Sequence, residues 1–117
     1  IRNFSKINNK KYQTILILGE MNELGLDELK FHYLVIKEIT QHVFHNVILS
    51  GDMFKKALKM FPSFKNKFIY KRTSKGIMSY LEKNLHKKAM MMTKCSNATE
   101  VNKFVTLLKL EKKEKIV

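Results

Sequence analysis

The stretch TILILGEMNELG, Thr14 to Gly25, decides how the rest of the chain is read. Thr14 to Leu18 is a short apolar run rich in β-branched residues, which favours a buried strand. Gly19 interrupts it, and an acidic turn follows: Glu20, Met21, Asn22, Glu23, Leu24, Gly25. From Asp27 the apolar period changes. Leu29, His32, Val35 or Ile36, Ile39 and Val43 recur three or four residues apart, the spacing of one helix face. The stretch therefore predicts a strand, a glycine-bounded turn and a helix over residues 27–42. In parallel α/β sheets ligands sit beyond the carboxyl ends of strands, where such turns lie.

The same alternation continues in both directions. Residues 1–9 read as the end of a helix, with Phe4 and Ile7 on one side, and strand one covers 12–18. NVILS at 46–50 predicts a second buried strand closed by Gly51, and Asp52 can cap a helix over 53–60 that Pro62 stops. KFIY at 67–70 predicts a third strand. Thr73 or Ser74 can cap the next helix, with Ile77, Met78, Leu81 and Leu85 inward. Residues 88–93 predict a fourth strand. Helix four runs over 99–110 with Val101, Phe104, Val105 and Leu108 inward, and Asn97 with Glu100 forms a capping-box pattern. Residues 111–117 are a charged, fraying tail. Four strand–helix alternations with short connections predict one α/β domain: a Rossmann-like, mostly parallel sheet with helices on both faces. The strands are continuous apolar runs, as two covered faces require.

Length and composition agree. The chain has 117 residues, 44% of them apolar, enough for one core. No run approaches the roughly 18 apolar residues of a membrane span. The start, Ile1-Arg2-Asn3-Phe4, has neither Met nor a signal-peptide core and predicts a segment of a longer polypeptide. Cys95 is the single cysteine, which excludes an internal disulfide and a cysteine-based zinc site and suits a reducing compartment. The formal charge is +13, and its excess lies in the second half: residues 52–117 carry seventeen Lys/Arg against five Asp/Glu. That favours anionic partners of any kind without choosing among them. Lysine replaces arginine almost everywhere, and Asn and Ile are common, the mark of an AT-rich genome more than of selection for a polyanion.

Several residues could carry chemistry. Glu20 and Glu23 are paired carboxylates at a strand's end; they could contact a ligand, metal or base, although a solvated acidic turn is the plainer reading. His32 lies on the apolar helix face, where a histidine is more often packed and hydrogen-bonded than a ligand. His42 and His45 stand three apart without an apparent third metal ligand, and His86 reads as a surface residue. Lys94-Cys95-Ser96-Asn97-Ala98 follows the last strand and opens the last helix, so backbone N–H groups, Lys94 and the Ser96 hydroxyl could hold an anion, or the turn could be simply capped. Cys95 lacks a partner base, and Met90-Met91-Met92 reads as core strand rather than a thioether cluster. No GxGxxG or GxxxxGK[ST] occurs, so any ATP phosphates would be held by another domain.

Leu18-Gly19-Glu20-Met21-Asn22-Glu23-Leu24-Gly25, with His32 seven residues further on, resembles the LG[DE]M-x-ELG segment of the Mur ligase C-terminal domain. Within that family the likeness is greatest to the branch that adds D-alanyl-D-alanine. Gly51 matches a glycine that ends the family's second strand, and Lys94-Cys95-Ser96 resembles the K-G-S that follows its last strand. The likeness covers residues 12–110. Cys95 stands where the family has Gly, and Asn97 where Arg is common; the family's D-x-Y-N-A-N-P segment is missing. The resemblance implies a bacterial cytoplasmic enzyme of three domains that uses ATP and Mg2+, bound mainly outside this segment. It would join D-alanyl-D-alanine to a UDP-MurNAc-peptide through an acyl phosphate. The C-terminal domain would close over the central ATP-binding domain and present the amine. By matching, Lys94, Ser96 and Asn97 would meet substrate, and Glu20, Asn22 and Glu23 would edge the cleft. Gly19, Gly25 and His32 would shape the turn and fix it to the helix. No catalytic residue, resident metal or membrane contact is expected in this segment, which would be inactive alone.

Two other readings compete. A basic nucleic-acid-binding module would explain the charge, but the lysines are spread over several helices and no recognition-helix or aromatic RNA-binding signature appears. A degenerate Mur-like domain kept only for interaction would explain Cys95 and Asn97.

Overall fold

The computed structural model describes residues 12–20, 28–60, 62, 67–85, 88–94 and 101–106. In chain order these form β1 (Gln13–Leu18), α1 (Glu28–Ile39), β2 (Asn46–Leu49), α2 (Asp52–Met60), β3 (Ile69–Tyr70), α3 (Ser74–Asn84), β4 (Ala89–Lys94) and a helical segment, α4, at 101–106. The four strands make one sheet in the order β3-β2-β1-β4, and every neighbouring pair is parallel. The expected α/β, Rossmann-like architecture is therefore present.

Strand alternation sends side chains to two cores. Leu16 and Leu18 of β1 and Val47 and Leu49 of β2 point to one face, where Ile36 and Ile39 of α1 and Phe54 and Ala57 of α2 cover them. Ile15, Ile17 and Ile48 point to the other, against Ile77 and Leu81 of α3 and Val101 and Phe104 of α4. All six β1 residues are buried, as a central strand between two helical layers requires. Each fully buried Ile, Leu or Phe contributes about 1.5–3 kcal/mol. Thr73 caps α3 as expected, its hydroxyl accepting from the Gly76 amide at 3.0 Å.

The order of the strands makes the chain reverse direction across the sheet. It steps outward from β1 through β2 to β3, then crosses back so that β4 lies on β1's other side. The carboxyl ends of β1 and β4 thus form a topological switch point.

Some elements differ from the sequence reading. Helix α1 ends at Ile39 rather than 42, and a turn carries the chain away; Val43, expected inward, is 73% exposed. Leu85, also expected inward, is the C-cap of α3 and is half-exposed, because its backbone has left the helix. Only Ile69 and Tyr70 of the third stretch pair as strand, although Phe68 just before them is buried. The methionines form a strand, but an edge one: Met91 and Met92 are half-buried and Met90 is exposed, since β4 has a neighbour on one side only among the described residues. The expected helix at 1–9, His86, Leu108 and the tail lie outside the described residues.

Candidate functional site

The switch point is built by backbone. Leu18 of β1 pairs with Lys94 of β4, and the Gly19 amide donates to the Lys94 carbonyl at 2.8 Å. On β1's other side the Ser50 amide donates to the Leu18 carbonyl at 2.9 Å. The exits of β1, β2 and β4 therefore lie side by side on one rim. The turn that begins at Gly19-Glu20 and the connection that begins after Lys94 leave from adjacent strands, as the sequence reading requires. Lys94 is exposed there, and its ammonium can meet an anion. Asn22, Glu23, Gly25, Cys95, Ser96 and Asn97 lie outside the described residues.

Glu20 has a more definite role than either sequence alternative. Its Oε1 accepts a hydrogen bond from the Met53 amide at 2.7 Å, in the first turn of α2. A carboxylate at a helix N-terminus satisfies an orphan donor and complements the helix dipole. Glu20 thus ties the exit of β1 to α2, and the helix start holds an internal anion. Gly51 makes room for it. Its φ is +108°, a conformation L side chains rarely adopt, and a Cβ there would lie 2.5 Å from Glu20 Cγ. The glycine that closes β2 and the glutamate that follows β1 form one steric unit.

His32 is packed as the sequence suggested. It is fully buried, and its Nδ1 donates to the Glu28 carbonyl one helical turn back, at 2.6 Å. Its ring stands edge-on to Phe54 at 4.7 Å between centroids, which joins α1 to α2 beneath the rim. Its role is to fix α1 against α2, the helix that Glu20 caps.

Sequence reasoning missed Tyr70. It ends β3, and its hydroxyl is buried with no hydrogen-bond partner among the described residues. Burial pushes the phenol above its ordinary pKa; the Asp52 carboxylate adds to the rise, and Glu20 adds less. The Gly51 amide and Arg72 act against it. The phenol therefore stays protonated beside the acidic start of α2. The available signal was a tyrosine closing a strand, with an acidic helix start one strand earlier.

Other candidates lie elsewhere. His45 precedes β2, at the opposite end of the sheet, where its Nδ1 accepts from the Thr14 amide at 2.9 Å; His42, in the turn after α1, has its Nε2 3.4 Å from the Glu38 carboxylate of that helix. The pair is used separately, and among the described residues no group of three or more His, Cys, Asp or Glu could hold a metal ion. A concavity of about 470 Å3 opens beside α2 and β3, lined by Lys55, Leu58, Lys59, Pro62, Phe68 and Tyr70, away from the β1–β4 exits. Among the described residues no helix is long and apolar enough to cross a membrane.

Set against known proteins, the chain matches no protein-family model and no curated protein sequence.

Proposed function

We propose that the chain is the substrate-presenting domain of an ATP-dependent Mur-type ligase that couples D-alanyl-D-alanine to a UDP-MurNAc-peptide. The observation that carries this reading is the pairing of Leu18 with Lys94. It brings the start of the LGEMNELG turn and the start of the Lys94-Cys95-Ser96 turn to adjacent strand exits, at the place where open α/β sheets bind ligands. Two motifs far apart in sequence then share one rim.

In this reading the rim faces a separate ATP-binding domain that holds ATP and Mg2+ and activates the muramoyl-peptide carboxylate as an acyl phosphate. This domain contributes Lys94 as a cation for the carboxylate of the incoming dipeptide, with Ser96 as a hydroxyl donor. Glu20 does not touch substrate; through its hydrogen bond from the Met53 amide it anchors the start of the turn to the helix that follows β2. Closure of the two domains excludes water from the acyl phosphate and brings the amine to it, and such positioning can contribute ~7–11 kcal/mol.

The test is genetic and kinetic. A polypeptide containing this chain together with a P-loop domain should complement a conditional D-alanyl-D-alanine-adding ligase mutant and release phosphate only when the dipeptide is supplied. Lys94→Ala should lower kcat/KM for the dipeptide roughly tenfold or more, as expected for a lost charged contact. Failure to complement, with the protein expressed and folded, would reject the ligase reading. Unchanged kinetics in Lys94→Ala would remove that residue from the site.

A further inference from the structure

The two edges of the sheet are built differently. β3 closes one edge with only two paired residues. β4 closes the other with six, all in register with β1. The carbonyls of Lys88 and Lys94 accept from the amides of Gln13 and Gly19. Backbone groups of residues 88, 90, 92 and 94 therefore turn towards β1. By the two-residue period of a strand, those of Ala89, Met91 and Thr93 turn outward. Among the described residues no strand pairs with them.

The side chains match that exposure. Between Lys88 and Lys94 the strand reads Ala-Met-Met-Met-Thr, with no charge. Met92 packs with the α1–α2 core and Met91 with the α3–α4 core, both only half-buried, and Met90 is 39% exposed. Natural edges are usually guarded by inward charges, prolines or bulges. Here the only charges stand at the two ends. An uncharged parallel edge of this length is a template for strand addition, and methionine side chains adapt to varied neighbours.

Charge selects the occupant. A second copy pairing antiparallel about Met91 would set Lys88 of each chain opposite Lys94 of the other, and like charges directly opposite are destabilising. A strand with an acidic residue at each end meets both lysines favourably, and the chain's net charge of +13 adds long-range attraction for it. We propose that the outer edge of β4 docks an extended segment of another protein, with an alternating β-branched centre and an acidic residue at each end. This surface shares Lys94 with the ligase reading, but its backbone edge along Ala89, Met91 and Thr93 does not rest on that reading.

The experiment uses the 117-residue chain and a labelled peptide, Glu-Val-Thr-Val-Thr-Val-Glu, followed by fluorescence anisotropy and by amide NMR shifts. The expected result is saturable binding, with the largest shifts at the amides of Ala89, Met91 and Thr93. The same peptide with Lys at both ends should bind at least about tenfold more weakly. N-methylation of alternate peptide amides should abolish binding with no change to the protein. Met91→Pro should abolish it too, because proline removes an outward N–H that the β1 ladder does not use. If that variant fails to fold, the N-methylated peptide carries the same test. No binding, equal binding of the lysine-ended peptide, or binding that survives N-methylation would overturn the proposal. Self-association of the chain that competes with the peptide would overturn it as well, by making a second copy the occupant.

Discussion

The two ends of the sheet handle their polar groups in opposite ways. At the amino ends of the strands, polar side chains close on one another. Gln13 Nε2 donates to Asn46 Oδ1 at 2.7 Å and to the Asn84 carbonyl at 2.9 Å, and Asn46 Nδ2 donates to the Tyr80 hydroxyl at 3.0 Å. Next to them the Thr14 amide is taken up by His45. At the carboxyl ends the described residues are arranged differently. Glu20 reaches across to α2, Lys94 stands in solvent, and the Tyr70 hydroxyl is buried with no hydrogen-bond partner among the described residues. Among the described residues, the amino end is held by a closed side-chain network, while the carboxyl end carries the cross-link from Glu20 to α2.

That contrast can be broken at the rim first. Gly51→Ala should cost about 2–3 kcal/mol in chemical denaturation, from a left-handed backbone that Ala resists together with the collision against Glu20. Glu20→Ala in the same chain should recover the steric part, so the double variant should be less destabilised than the sum of the singles. Additive losses would show that Gly51 and Glu20 are not one unit. At the closed end, Gln13→Ala should cost about 1–3 kcal/mol, because Asn46 and the Asn84 carbonyl lose a buried donor. A near-zero change would mean that water replaces the amide there.

The smallest effect concerns Tyr70. Its folded-state pKa is raised, so the folded protein favours the protonated phenol. The associated stability is fully present below the unfolded value, near pH 10, and is lost as pH rises through the folded value. Tyr70→Phe should leave neutral-pH stability within about 0.5 kcal/mol and should flatten this alkaline loss. An alkaline melting profile unchanged by the substitution would assign the loss to other groups.

Much of this was legible in the chain itself. TILIL needed no partner to be read as a buried strand, since five apolar or β-branched residues in a row cannot be left in water on either face. The His32 spacing placed it on the packed side of α1, where it meets Phe54. Local chemistry also set one cap: Thr73 begins its helix as its side chain predicts, whereas Asp52 falls inside the first turn of α2, where the Met53 amide is taken by Glu20. Element ends were less legible. Val43 keeps the helical period but falls beyond Ile39, in the turn that leads to β2, and is exposed. KFIY looks like four strand residues, but only two find a neighbour in β2.

Residue pattern alone determined the kind of each element, the two covered faces and the glycine-bounded turn after β1, because these follow from period, side-chain volume and backbone freedom within a few residues. Tertiary structure decided the strand order, the neighbouring exits of β1 and β4, and the outer edge of β4, unpaired among the described residues. It also turned Glu20 from a turn carboxylate into the cap of α2. Such outcomes depend on pairings between residues more than twenty positions apart, and no local preference encodes which distant strand or helix start will satisfy a given hydrogen-bonding group.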